Sequence, residues 1–180
     1  MSTLKVNSII PVAGVPTGGG GGIVQIKQTQ ILTTASQSGS SFADTPLVVA
    51  MTPTSATSKI LCMVGLQFSG SSDGNNTQYK LIKVVGGTSY NLAFGQSNTS
   101  SNKQGFSGNH TWNNGDGYYS LGSMYLNTLD TATSTAEHTY KVQWASSSGT
   151  AYINRTGYGA SGTSYAFSGC STITLMEVSA

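Results

Sequence analysis

Charged side chains are scarce in this sequence. Lys and Arg number 8 and Asp and Glu number 6 among 180 residues, so that 8% of residues are charged, against about 25% in an ordinary globular domain. The basic residues stand singly, whereas a nucleic-acid surface requires clustered Lys and Arg. The net charge of +2 also lacks the high charge that accompanies low hydrophobicity in disordered chains. We therefore expect a folded protein without a nucleic-acid partner.

Long apolar runs and metal-binding patterns are missing too. No stretch approaches the roughly 20 apolar residues of a membrane span, and the N-terminus lacks the apolar region of a signal peptide. These absences argue against membrane insertion and Sec export. The two cysteines, Cys62 and Cys170, lie in separate apolar runs with no other Cys or His at ligand spacing. We expect buried free thiols, no metal and no cofactor, and a disulfide between neighbouring strands stays open.

Helical periodicity is absent, whereas short strand-like runs alternate with turn residues along the chain. This pattern predicts an all-β fold, an antiparallel β-sandwich or jelly roll. The expected strands cover residues 23–28, 47–51, 59–68, 77–85, 88–94, 118–127, 138–145, 150–155 and 170–178. A Ser/Gly-rich break is expected at residues 35–41 and a polar loop at 95–117. The pair Gly86-Gly87 predicts a tight hairpin turn.

The strongest predicted strand runs from Lys59 to Phe68. One of its faces is continuously apolar and consists of Ile60, Cys62, Val64, Leu66 and Phe68. Leu61 and Met63 make the start of the other face apolar as well, and a strand that is apolar on both faces needs packing on both sides. We therefore expect one face to meet the core and the other to meet neighbouring subunits. Lys141 and Gln143, in contrast, predict a solvated face on their strand.

Residues 1–17 form a short separate unit that cannot bury its own apolar side chains. These side chains are the candidate anchor: Leu4, Val6, Ile9, Ile10 and Val12. A glycine run follows, which we interpret as a hinge because glycine restricts the backbone least: Gly18, Gly19, Gly20, Gly21 and Gly22. Residues 23–180 then form the head domain. We expect the tethered peptide to dock on a partner or to exchange between subunits; a disordered tail is the alternative.

Catalytic patterns do not stand out. The carboxylates lie far apart in sequence, so no local acid pair is visible. No Gly-x-Ser-x-Gly motif precedes a helix, and the glycine run lacks the Lys-Ser/Thr of a phosphate loop. We expect no enzyme activity and assign no catalytic residue.

One aromatic segment suggests sugar binding. An aromatic face beside planar amides and a carboxylate suits the C–H faces and hydroxyl groups of a sugar. The candidate glycan contacts are Trp112, Asn113, Asn114, Asp116 and Tyr118. The alternative is that Trp112 and Tyr119 pack in the core or between subunits.

Four segments resemble small fibre and appendage proteins of marine tailed phages, especially phages of cyanobacteria. They are STLKVNSII at residues 2–10, TPTSATSKIL at 52–61, TYKVQ at 139–143 and STITLMEV at 171–178. The resemblance spans most of the chain and implies a virion structural protein, trimeric, with a β-sandwich head. It further implies assembly in the bacterial host cytoplasm and contacts with other virion proteins. It supplies no catalytic residues and no receptor contacts.

Two other functions remain open at this stage. The chain could be a capsid decoration or cement protein, whose head holds the shell and binds no host. It could also be a carbohydrate-binding module of a secreted enzyme, although the missing export signal and second domain argue against that. Host-surface glycan binding is an expectation only for the fibre or appendage protein.

Overall fold

A computed structural model describes residues 22–71, 76–92, 107–112, 116–159, 164 and 166–179. The fold is an antiparallel β-sandwich of two sheets, as the strand pattern predicts. The strands are β1 (Ile23–Ile31), β2 (Ala35–Ser38), β3 (Ala43–Met51), β4 (Lys59–Gly70), β5 (Asn76–Val85), β6 (Thr88–Leu92), β7 (Gly108–Thr111), β8 (Gly122–Thr131), β9 (His138–Ser146), β10 (Thr150–Ile153) and β11 (Ser171–Val178). A single-turn helix, α1 (Asp116–Tyr119), precedes β8. No helix in this part of the chain has the length and apolar character needed to cross a bilayer.

The strand order is that of a jelly roll. Sheet A has the order β1-β11-β4-β8. Beyond the N-terminal end of β11, β10 takes the place of β11 beside β4, and β2 takes the place of β1 beside β10. Sheet B has the order β3-β9-β5, and β6 and β7 lie end to end along the other edge of β5. When β1 and β2, β6 and β7, and β10 and β11 are each counted as one strand, eight strands are left in the described residues. Numbered in chain order, strands 1-8-3-6 form one sheet and strands 2-7-4-5 form the other. Two interlocked Greek keys give this arrangement, and the jelly-roll prediction is confirmed.

The core lies between the sheets and follows the predicted alternation of β4. Ile60, Cys62, Val64, Leu66 and Phe68 are all buried there. They pack against apolar side chains from sheet B, among them Leu47, Tyr79, Leu81, Tyr140 and Val142. Burial, together with the nearby Asp130 carboxylate, raises the pKa of the Cys62 thiol to about 12. Cys62 and Cys170 are both free, so the disulfide left open by the sequence is not formed.

A buried ion pair joins the two sheets. Lys83 of β5 lies 2.7 Å from the Asp130 carboxylate of β8, and the Tyr140 hydroxyl of β9 donates a hydrogen bond of 2.8 Å to the same carboxylate. Burial is the main cause that raises the pKa of Tyr140, and the hydrogen bond to Asp130 adds to it. A buried charge requires such partners because removing it from water is costly. The ion pair therefore links β8 of sheet A to β5 of sheet B.

Three local predictions were wrong. Residues 35–41 were expected to be a break but include β2, and the expected loop at 95–117 includes β7. The strand expected at 118–127 begins only at Gly122, after α1, and continues to Thr131. The Gly86-Gly87 turn, in contrast, is confirmed: both residues have positive φ, 56° and 82°, as a type I′ hairpin turn requires.

Candidate functional site

The outer face of sheet A carries an apolar row that crosses four strands. Ile26 of β1 lies opposite Met176 of β11, Met176 lies opposite Leu61 of β4, and Leu61 lies opposite Leu129 of β8. Paired residues in an antiparallel sheet point to the same side, so these side chains form one band. Ile26 is 53% exposed and Leu129 is 62% exposed. The band faces away from the core, and its two ends are the most exposed.

β1 contributes Ile26 to the apolar band because of the register in which it pairs with β11. Gln25 faces inward and donates a hydrogen bond of 2.6 Å to the Glu177 carboxylate, while Ile26 faces outward. A bulge between Ile23 and Gln25 helps set this register, and a shift of one residue exchanges the two faces of a strand. β1 therefore adds Ile26 to the outer surface, whereas Ile31 of the same strand packs against the core.

The rest of the outer face of sheet A is polar but almost uncharged. Its glutamine and threonine side chains bond to one another, as in Gln28 to Thr174 at 2.8 Å. Tyr125 is 73% exposed and its ring lies over Gly65, where a Cβ would come within 3.6 Å of it. Lys59 is the one charged residue among the paired outward positions of β1, β11, β4 and β8. The face therefore carries little charge to desolvate or repel.

The outer face of sheet B has a different character. Lys141 forms an ion pair of 2.8 Å with Asp44, and Gln143 donates to the same carboxylate. Burial raises the pKa of Asp44, but the hydrogen bonds from Lys141 and Gln143 and the charge of Lys141 outweigh it, so the net shift is downward. The Lys80 ammonium lies 3.8 Å from the centre of the Phe42 ring. The solvated face predicted from Lys141 and Gln143 is confirmed.

The predicted sugar contact at Trp112 is wrong. Trp112 is only 5% exposed and belongs to the core, because β7 pairs with β5 and brings the ring against Phe68 and His110, with ring centroids 5.7 and 4.3 Å away. The alternative, packing in the core, is what the structure shows for this residue. Burial lowers the pKa of His110.

The other candidate glycan contacts have separate outcomes. Asn113 and Asn114 lie outside the described residues, and Asp116 begins α1. Tyr118 is 37% exposed and contacts Tyr119 and Tyr158. The sequence missed Tyr158, which is remote in the chain and carries no local motif.

Most of the N-terminal predictions concern residues outside the described part of the chain. The anchor residues Leu4, Val6, Ile9, Ile10 and Val12 and the hinge residues Gly18 to Gly21 are not among the described residues. The last hinge residue, Gly22, accepts a hydrogen bond of 3.1 Å from the backbone amide of Ser179. The paired structure therefore begins one residue before the predicted boundary.

Buried acidic groups in the described chain are fully engaged with protein partners. Glu177 accepts hydrogen bonds from Thr54 and Gln25, and Asp130 holds Lys83 and Tyr140. No group of three or more His, Cys, Asp or Glu side chains that could hold a metal occurs among the residues the structure describes. The distinctive feature of this part of the chain is therefore a surface, the outer face of sheet A.

Comparisons with known proteins give little further information. No protein-family model matches the chain, and no curated protein matches it. Among solved structures, it is similar to a chain in the structure of infectious bursal disease virus, Gx strain, with a TM-score of 0.31 and 13% sequence identity. The match covers 88% of this chain and only 37% of that one. Values this low support no functional argument.

Proposed function

We propose that this protein is a virion structural protein, a phage fibre or appendage subunit that assembles as a trimer in the virion. Residues 1–17 attach it to other virion proteins, and the jelly-roll head assembles with sister copies. The resemblance of four sequence segments to phage appendage proteins motivates this proposal. Jelly rolls serve viral capsids and lectins alike, so the fold is compatible with the role but does not select it.

The observation that carries the proposal is the contrast between the two outer faces. Ile26, Met176, Leu61 and Leu129 form an apolar band on a face with a single lysine, whereas the opposite sheet presents Asp44, Lys80 and Lys141. Full burial of a Leu, Ile or Met side chain contributes about 1.5–3 kcal/mol. A second copy meeting the band therefore gains apolar burial while desolvating little charge.

Sedimentation of two matched variants tests this interface. We expect the wild-type protein to sediment as a trimer and Leu129→Asp to sediment as a monomer. Leu129 is 62% exposed, so a carboxylate there is tolerated in the isolated head but is buried without a partner in the assembly. Val48→Asp is the control, because Val48 is 41% exposed and lies opposite Lys141 in sheet B.

Two outcomes contradict the proposal. A wild-type protein that sediments only as a monomer refutes assembly through any surface. A trimer that survives both Leu129→Asp and Ile26→Asp refutes the outer face of sheet A as the interface.

A capsid decoration protein would use the same interface and differs in position and in host contact. Images of labelled particles separate the two functions, because a fibre or appendage subunit is found at the tail and a decoration protein on the shell. Host adsorption gives an independent comparison, since particles lacking a cement protein are expected to adsorb normally.

A further inference from the structure

Three tyrosines from two separate segments form a surface cluster near the end of α1. The Tyr118 ring lies 5.5 Å from both the Tyr119 and the Tyr158 rings, and Tyr119 stacks on Tyr158 at 5.8 Å. The backbone amide of Tyr158 donates a hydrogen bond of 2.8 Å to the Tyr118 carbonyl. The cluster is therefore held by its own ring contacts and by the backbone.

These rings remain accessible although they contact one another. Tyr118 is 37% exposed, Tyr119 47% and Tyr158 38%. An aromatic ring ordinarily gains stability by burying its faces, so three partly exposed rings in mutual contact leave apolar surface available to a ligand. The hydroxyl groups of Tyr118 and Tyr158 add hydrogen-bonding capacity at the same place.

An arginine is fixed beside this cluster. The Arg155 guanidinium lies 3.9 Å from the centre of the Tyr152 ring and packs against Gly159, where a Cβ would come within 2.5 Å of Nη1. Gly159 directly follows Tyr158, so the cation borders the cluster. The ion pairs found among the described side chains are Lys83–Asp130 and Lys141–Asp44, and Arg155 has no carboxylate partner among them.

We propose that Tyr118, Tyr119, Tyr158 and Arg155 bind an acidic saccharide that contains uronic acid. Tyrosine rings stack on the C–H faces of sugar rings, and a planar guanidinium holds a carboxylate through two parallel hydrogen bonds. Stacking on Tyr152 restricts the guanidinium beforehand, which reduces the entropy lost on binding. This inference rests on the proposed function, since it names the glycan class that an exposed head would recognise.

The site is compatible with the proposed assembly interface because the two lie at opposite ends of sheet A. Tyr152 is opposite Ser69 near the end of β4, whereas the apolar band crosses β4 at Leu61. Residues 61 and 69 of an extended strand are about 26 Å apart. A trimer formed through the band therefore leaves the tyrosines open to solvent.

Calorimetric titration of the 180-residue protein with two matched probes tests the site. The probes are an oligogalacturonate and its methyl ester, which differ in charge at the carboxyl groups. We expect saturable binding of the acid and about tenfold weaker binding of the ester, because a neutral ester cannot form the charged pair with Arg155. This comparison uses the wild-type protein, so it does not depend on whether a variant folds.

Three variants then locate the site on the surface. Arg155→Lys keeps the charge but loses the planar fork, and Tyr119→Ala removes a stacking face; each is expected to weaken binding of the acid by about tenfold. Tyr90→Ala is the control, because Tyr90 is 48% exposed on β6, in the other sheet. Circular dichroism confirms that each variant is folded before titration.

The proposal is overturned by any of three results. These are no saturable binding of the acid, equal binding of acid and ester, and an equal loss of affinity in Tyr90→Ala and Tyr119→Ala. Because the probes are free in solution, the result is independent of assembly. A monomer that binds the acid refutes the trimer and keeps the site, whereas a trimer that does not bind refutes only the site.

Discussion

At the scale of single residues, Glu177 shows how a buried carboxylate orders a loop. Glu177 has no exposed surface. It accepts hydrogen bonds of 2.7 Å from both the backbone amide and the hydroxyl of Thr54, and one of 2.6 Å from Gln25. Burial alone raises the pKa of this carboxyl, but the hydrogen bonds from Thr54 and Gln25 outweigh it and lower the pKa from 4.5 to about 2. The charged form thus connects β11 with β1 and with the loop between β3 and β4.

Glu177→Gln is expected to remove an acid-sensitive part of the stability. A depressed folded-state pKa stabilises the fold fully above the unfolded value, and the contribution is lost as pH falls from about 4.5 to about 2. The free energy of unfolding should fall by about 1–3 kcal/mol at neutral pH, since the amide presents a donor to existing donors. Denaturant titrations from neutral pH to about pH 2 measure both effects.

The control for this prediction is Glu137→Gln, which changes an exposed carboxylate. It should leave the free energy of unfolding nearly unchanged at neutral pH. The prediction is contradicted if Glu177→Gln and the wild-type protein lose the same free energy of unfolding between pH 4.5 and 2. Other carboxylates would then cause the acid-induced loss.

Trp112 marks where residue-level reading of the sequence failed. A tryptophan followed by two asparagines and near an aspartate is typical of a sugar site, and the same residue is equally suited to a core. The decision depends on β7, whose pairing with β5 directs the ring inward. β7 reads GNHT, without apolar alternation, so nothing local in the sequence reveals the strand.

At the scale of elements, Asn154 links β1 to β11 at the point where β2 and β10 take their places in sheet A. It follows β10, is fully buried and has a positive φ of 59°. Its side-chain amide donates to the carbonyls of Ile31 and Thr33 at 2.9 and 3.1 Å, and its oxygen accepts from Ser171 at 2.7 Å. One residue thereby bonds the end of β1 to the start of β11.

Two substitutions separate the backbone role of Asn154 from its side-chain role. Asn154→Gly keeps access to positive φ but loses the three side-chain hydrogen bonds. Asn154→Ala loses the three hydrogen bonds and also the access to positive φ. We expect Asn154→Ala to lower the free energy of unfolding by about 3–4 kcal/mol and Asn154→Gly to lower it less. Urea denaturation measures the difference. Equal losses, or a larger loss in Asn154→Gly, would show that backbone conformation is not part of the cost.

The elements found from sequence are those with strong apolar alternation. β4, β5, β9 and β11 were placed to within about two residues because each has buried apolar side chains at alternate positions, such as Ile173 and Leu175 of β11. β2 was missed because its sequence, ASQS, is small and polar, as suits an outer strand that pairs only with β10. Edge strands depend on a neighbour for their conformation, so local pattern does not reveal them.

At the scale of the whole molecule, register decides the candidate interface. The sequence predicted that Leu61 and Met63 face away from the core, but it could not predict which residues flank Leu61. Met176 and Leu129 are distant in the chain and become its neighbours only through the pairing of β11 and β8 with β4. Long-range pairing is set by the sum of many contacts, so the band emerges only from the fold.

The head also has two distinct ends. Gly22 and Ile23 enter beside Val178 and Ser179, at the end of sheet A where Lys59 begins β4. The tyrosine cluster borders the opposite end, beyond Tyr152 and Ser69. The proposed attachment peptide therefore joins the head at one end and the proposed ligand site lies near the other, which is compatible with the proposed outward-facing head.

Removal of residues 1–17 tests whether these residues attach the protein to the virion while the head folds and assembles without them. The described structure begins at residue 22 and its core includes no residue before Ile31, so the truncated head should keep its free energy of unfolding and its sedimentation behaviour while it no longer joins virions. Immunoblots of purified particles measure incorporation.

Replacing Leu4, Val6 and Ile10 with serine should abolish incorporation in the same way, because it removes only the apolar side chains of the peptide. Deleting Gly18, Gly19 and Gly20 should leave incorporation intact. Incorporation that persists without residues 1–17 refutes the anchor, and a truncated head that unfolds shows instead that the peptide belongs to the fold.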